Sequence, residues 1–118
     1  MKSLTLINKK IWEEQKEYFE NYLEWGKKIK EIAQKILGEK VKVLIFGSIV
    51  RGDWTPDSDI DILIISKKLS KNWVKNRIIR TKIKKLIGPS SPFQIHLARP
   101  EEYKSWWKNF IKEDYIEL

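Results

Sequence analysis

A chain of 118 residues, 42% hydrophobic and 12% aromatic with a net charge of +8, has the make-up of one globular domain, because a second independent core would not fit comfortably. It has no cysteine, which excludes disulfides, thiolate metal sites and a cysteine nucleophile, and its single histidine argues against a zinc centre or a His-based triad. No apolar run approaches the roughly 20 residues of a membrane span. Met1-Lys2-Ser3-Leu4 opens no signal-peptide core, so the expected location is the cytoplasm, with no membrane partner.

Residues 8–37 carry helical spacing through Ile11, Tyr18, Tyr22, Trp25, Ile29, Ile32 and Ile36, with Asn8 the expected N-cap and Gly38 the expected stop. Gly26 falls inside this pattern and is expected to kink or split the helix. Val41–Phe46 is a short, continuously apolar run consistent with a buried strand, ended by Gly47. Asp53–Ser58 is dense in turn formers, and Ile60–Ile65 reads as a second buried strand. Helical spacing returns over Asn72–Ile87, stopped by Gly88-Pro89. Phe93–Ala98 is a third strand, and Pro100 with Glu101 and Glu102 opens a last helix bearing Tyr103, Trp106, Trp107, Phe110 and Ile111. The order predicts an α/β (α+β) fold, a small mixed β-sheet flanked by helices, forming one domain over 1–118 with an N-terminal helical segment at 1–38.

Charge is unevenly spread. Residues 1–40 hold nine basic and seven acidic side chains, whereas Ile62–Pro100 holds ten basic residues and no acidic one. Such a field attracts polyanions, whether a nucleoside triphosphate, nucleic acid or an acidic protein; a solvated helix face that keeps the protein soluble explains it equally well.

Two short motifs carry chemistry. Asp59 and Asp61 are two residues apart at the head of a strand, so their carboxylates project from one face. Paired carboxylates beside a loop suit Mg²⁺, which binds through one or two carboxylates plus substrate phosphates; two ions so held could activate an attacking hydroxyl and stabilise departing pyrophosphate. Gly47-Ser48 follows a buried strand, where a residue without Cβ lets the backbone approach a ligand and N–H groups cradle phosphate. Arg51 could reach a phosphate or pair with Asp53 and Asp57.

Together, Phe46-Gly47-Ser48-Ile49-Val50-Arg51-Gly52 and Ser58-Asp59-Ile60-Asp61-Ile62 resemble the core motif of the DNA-polymerase-beta-like nucleotidyltransferase superfamily, and most of all its small, stand-alone minimal nucleotidyltransferases. The match is strongest over 41–66, and the order of elements agrees through 112, so the catalytic-type core is expected over 41–112. The resemblance implies that Gly47 and Ser48 bind the triphosphate of an incoming nucleotide, ATP being the expected one, and that Asp59 and Asp61 hold Mg²⁺. The family places a third carboxylate on a later strand, and the matching position here is Gln94. A glutamine can donate and accept hydrogen bonds but cannot act as a base at neutral pH. His96, two residues on, shares that face as a base, a metal ligand or simply a half-buried strand residue.

The resemblance therefore implies transfer of a nucleoside monophosphate to a hydroxyl of a partner protein, an RNA or a small molecule, with a second copy or a partner protein supplying the acceptor surface. Relatives include antitoxins that modify a helical toxin, which ranks the protein acceptor first. The alternative is a non-catalytic nucleotide-binding or partner-neutralising module in which Gln94 marks lost turnover; a third is an accessory nucleic-acid binder built on the basic helix. Trp54 is expected either to stack on a base or, more in keeping with its loop position, to pack over the loop. Trp106, Trp107 and Phe110 are expected in the core or at a dimer contact.

Overall fold

The computed structural model describes residues 2–118, with side chains from residue 9 onward. Eleven consecutive elements build a four-stranded sheet clothed in helices on both faces. Helix α1 (Lys2–Glu20) and helix α2 (Tyr22–Leu37) lead into strand β1 (Lys42–Phe46) and a single turn, α3 (Ser48–Arg51). Strand β2 (Ile60–Ile65), helix α4 (Trp73–Ile87) and strand β3 (Phe93–Ala98) follow. The chain then runs through α5 (Pro100–Glu102), a π-helical turn (Tyr103–Trp107) and α6 (Lys108–Ile111) into strand β4 (Tyr115–Glu117).

The sheet order is β3-β2-β1-β4. Strand β1 is antiparallel to both β2 and β4, while β2 and β3 are parallel, joined through α4 as a parallel crossover requires. This is the mixed, helix-flanked sheet the sequence predicts. The strands read as nearly unbroken apolar runs because both sheet faces are covered. On one face Val43, Ile45, Ile62, Ile64, Phe93 and Ile95 meet Ile29, Ala33 and Leu37 of α2 and Ile83 and Ile87 of α4. On the other, Leu44, Phe46, Leu63, Ile65 and Ala98 meet Ile111, Tyr103 and Trp107 of the C-terminal segment.

The structure departs from the expected elements in three places. The first helix runs from Lys2, so Asn8 lies within it rather than at its start. The N-terminal helix divides at Asn21 (φ −115°, ψ 33°), not at Gly26. Gly26 is buried in α2, and a Cβ there would lie 2.8 Å from Ile45 Cδ1 and 2.7 Å from Leu118 Cδ1. Its glycine serves close helix–sheet packing rather than a kink, which is why its position in the pattern misleads. The third is β4, which no periodicity announced.

Gly38 ends its helix as expected, and Asn72 supplies a cap that was not foreseen. Asn72 accepts a hydrogen bond from the N–H of Val74 (2.9 Å) at the start of α4, and the N–H of Gly38 closes α2 on the carbonyl of Gln34 (2.8 Å).

Candidate active site

The end of β1 and the start of β2 meet because they are antiparallel neighbours, with Phe46 opposite Asp61. This brings Gly47 against the Asp61 side chain. Gly47 has φ +88° and ψ −149°, a conformation L side chains rarely adopt, and a Cβ added to it would fall 2.8 Å from Asp61 Oδ2. Two constraints thus converge on glycine: the backbone turn and the room taken by a carboxylate. The Gly47 N–H donates to the carbonyl of Asp114 (3.3 Å), so the segment leading into β4 helps fix the turn.

Past Gly47 the chain closes into α3. The N–H groups of Val50 and Arg51 both return to the Gly47 carbonyl at 3.1 Å. Those of Ser48 and Ile49 have no protein acceptor among the described residues, as at any helix start, and Ser48 itself is half-buried. Gly52, at φ +84°, ends the turn. Arg51 Nε lies 3.3 Å from Asp53 Oδ2, both side chains about half exposed. An exposed pair of this kind contributes about 1 kcal/mol at most, so it does not tie the guanidinium down against a phosphate.

The loop between the motifs is anchored from outside. Trp54 stacks on Phe19 of α1 (centroids 4.8 Å apart, planes 18° from parallel) and touches Trp12. Its ring is engaged by the N-terminal helix, so packing rather than base stacking is its role, and α1 thereby braces the loop that leads to Asp59. Thr55 and Ser58 close the rest of the loop, the Thr55 N–H donating to Ser58 Oγ at 2.8 Å.

Asp59 is exposed and precedes β2 by one residue; Asp61 lies within the strand with 28% of its side chain exposed. The parallel register sets Gln94 beside Asp61 and His96 beside Leu63, so alternation puts Asp61, Gln94 and His96 on the same face. His96 Nε2 is 3.2 Å from Asp61 Oδ1. The imidazole is held between Phe46 (5.7 Å) and Trp107 (5.2 Å), which fixes its plane. His96 is thus both of the things the sequence left open, a half-buried strand residue and a direct partner of a motif carboxylate. Gln94 is exposed, and its side chain makes no hydrogen bond among the described residues.

A further polar group meets the site from the opposite layer. Lys84 of α4 donates through Nζ to the carbonyls of Ser91 and Phe93, the latter at 2.6 Å, bridging α4 to the start of β3. Burial pushes its pKa down from the ordinary lysine value of 10.5, and the charge of Asp59 works in the opposite direction.

The donor set bears on Mg²⁺. No cluster of three or more acidic or histidine side chains able to hold a metal exists among the described residues. Asp61 beside the Gly47 turn and Asp59 one residue before β2 supply two carboxylates, the number through which Mg²⁺ is ordinarily bound when phosphate and water oxygens complete its shell. A second ion would have no carboxylate on β3, because Gln94 stands there.

Sequence reasoning missed two contributors. The contact of His96 with Asp61 depends on a strand register that spacing alone does not give. The packing of Trp107 on His96 depends on the π turn at Tyr103–Trp107, whose extra residue redirects the following side chains. Trp107 is accordingly a core-side residue, while Trp106 and Phe110 stack on each other (5.1 Å, 12°) and remain 55% and 60% exposed.

The chain is similar to several known proteins. A Methanocaldococcus jannaschii protein named "putative protein adenylyltransferase" is 38% identical over 55 residues, 46% of this chain and 56% of its own length. A second protein of that organism and name is 49% identical over 37 residues, 31% of this chain and 37% of its own. The matched stretches therefore span about half or less of these relatives. A crystal structure described as that of a "putative nucleotidyltransferase" superposes with a TM-score of 0.63 at 33% identity, over 78% of this chain and 95% of that one. Residues 26–117 match the nucleotidyltransferase domain family, and the chain belongs to it.

Proposed function

We propose that this chain is a Mg²⁺-dependent adenylyltransferase that moves AMP from ATP to a hydroxyl of a partner protein. The observation that carries the reading is the fit of Gly47 against Asp61, where the turn leaves no space for a Cβ and is followed by the N–H groups of Ser48 and Ile49, which have no protein acceptor among the described residues. In this reading Ser48 and the two N–H groups hold the β- and γ-phosphates, and Arg51 exchanges Asp53 for a phosphate oxygen. Asp59 and Asp61 would hold Mg²⁺, which supplies charge neutralisation at the reacting phosphate. His96 keeps the Asp61 carboxylate in one orientation. The acceptor oxygen attacks the α-phosphorus, the bond from that phosphorus to the bridging oxygen of the β-phosphate breaks, pyrophosphate leaves and the hydroxyl proton passes to solvent. The names of the relatives support a protein acceptor over RNA or a small molecule.

The test is transfer of label from α-labelled ATP in the presence of Mg²⁺ and the partner protein, with RNA in a parallel reaction. Label that survives in Asp59→Asn/Asp61→Asn would sink the proposed site. A specific observation favours a second reading, a nucleotide-binding module that neutralises its partner without turnover: the register puts an uncharged Gln94 beside Asp61. If the native protein transfers nothing and Gln94→Glu creates Mg²⁺-dependent transfer, that second reading replaces the first.

A further inference from the structure

At the other end of the same sheet lies a cavity of about 610 Å³, which shares no residue with the candidate active site. It forms where β1 begins, β2 ends and the C-terminal segment crosses, so Leu44 and Ile65 make its floor and Tyr103 and Tyr115 line its side. Six lysines surround it: Lys40, Lys42, Lys67, Lys68, Lys104 and Lys108. Glu117 is the one acidic residue in the lining. None of the six lysines forms a salt bridge among the described residues, although the chain has carboxylates to spare elsewhere. Six like charges drawn together without partners repel one another, and the arrangement persists more readily if an anion joins them.

The chemistry of that anion can be narrowed. A volume of this size falls in the range of small-ligand pockets, roughly 300–1,000 Å³, and the concave shape differs from a protein–protein patch, which needs about 800 Å² on each partner. Lysine presents mobile point charges that suit phosphate oxygens, and all the basic side chains lining this cavity are lysines. Several phosphates match the charge in so small a space, while acidic side chains would need a whole peptide segment to do so. Tyr103 is half-buried and Tyr115 is 39% exposed, giving ring surface on which a base can rest.

We propose that this lysine-rimmed cavity is a second nucleotide site, its phosphates held by the lysines and its base set against Tyr103 and Tyr115. The site needs no divalent cation, because lysine charge does the work that Mg²⁺ and the two aspartates do at the other end. A free nucleoside triphosphate and single-stranded nucleic acid share this chemistry.

Binding in EDTA, read by equilibrium dialysis, separates this site from the transfer reaction. The ligands are ATP, a ten-residue oligoadenylate, inorganic triphosphate and poly-glutamate. ATP or the oligonucleotide binds, the tighter of the two naming the natural source, and Asp59→Asn/Asp61→Asn leaves that binding intact. Lys67→Glu/Lys104→Glu/Lys108→Glu weakens it by about tenfold or more, whereas Lys75→Glu/Lys82→Glu/Lys85→Glu on exposed α4 positions, with the same change in net charge, alters it by less than about threefold. Tyr115→Ala, which changes no charge, weakens ATP but not inorganic triphosphate. Absence of binding by the native protein, equal losses in the two triple variants, or poly-glutamate bound as tightly as ATP overturns the proposal.

Discussion

The two ends of the sheet are built from the same strands and carry opposite chemistry. At the end of β1 and start of β2, a glycine, a serine and two aspartates leave an open, anionic corner. At the start of β1 and end of β2, lysines crowd an apolar floor. Asp61 and Ile65 are four residues apart on one strand, a span of roughly 13 Å, beyond the screening length of about 8 Å at physiological salt. The separation has a consequence for chemistry. A lysine near Asp61 would pair with it, whereas a glutamine carries no charge with which to do so. Of the side chains that share the face of Asp61, Gln94 is of that kind.

The most direct way to break this contrast is to remove the negative end. Asp59→Asn/Asp61→Asn keeps shape and hydrogen bonding but deletes both charges, and transfer of labelled AMP is expected to fall about a hundredfold or more, since metal and charge stabilisation is worth several kcal/mol. The fold should persist, which circular dichroism and urea unfolding check. Gly47→Ala follows in size. It forces an alanine into φ +88° and drives its methyl towards Asp61 Oδ2, so stability is expected to drop by about 1–3 kcal/mol in urea unfolding, with transfer reduced as Asp61 is displaced. Gly47→Ala that unfolds like the native protein would mean the turn is not held by that close approach.

His96→Ala sharpens the comparison by asking what keeps the aspartate aimed. Loss of a group that orients a metal ligand costs about 10–100-fold in metal affinity, so the Mg²⁺ concentration needed for half-maximal transfer is expected to rise by that factor while the rate at saturating Mg²⁺ changes less. A fall in the saturated rate with an unchanged Mg²⁺ requirement would place His96 in proton transfer instead.

Much of the site was legible beforehand because its components are local. Gly47, Ser48, Asp59 and Asp61 sit within one strand–turn–strand unit, and the apolar runs that frame it need only periodicity to be recognised. The strand limits Ile60–Ile65 and Phe93–Ala98 are the ones the sequence predicts. What escaped depends on non-local geometry. Strand β4 has three residues, too few for alternation to register, and it is held as an edge by pairing with β1. The lysines of the cavity come from three separated segments and look, in sequence, like ordinary solvated charges. Gly26 looked like a helix breaker because its true neighbours, Ile45 and Leu118, are remote along the chain.

Lys84 tests the layer behind the negative end, and its effect is the smallest. Its ammonium satisfies the carbonyls of Ser91 and Phe93 from the α4 side, so Lys84→Met leaves those acceptors unpaired and is expected to cost about 1–3 kcal/mol. The pH dependence has a defined sign. Burial lowers the folded-state pKa below the 10.5 of the free side chain, against the pull of Asp59, so in the window between the two values the unfolded chain binds the extra proton. Stability contributed by this group therefore rises with pH across that window, and below it the cost of burying the charge is fully felt. Other lysines and tyrosines titrate there too, so the quantity to follow is the difference in unfolding free energy between native protein and Lys84→Met. That difference should widen as pH climbs towards 10.5, and a constant gap would mean that Lys84 is no more difficult to charge in the folded protein than in the unfolded chain.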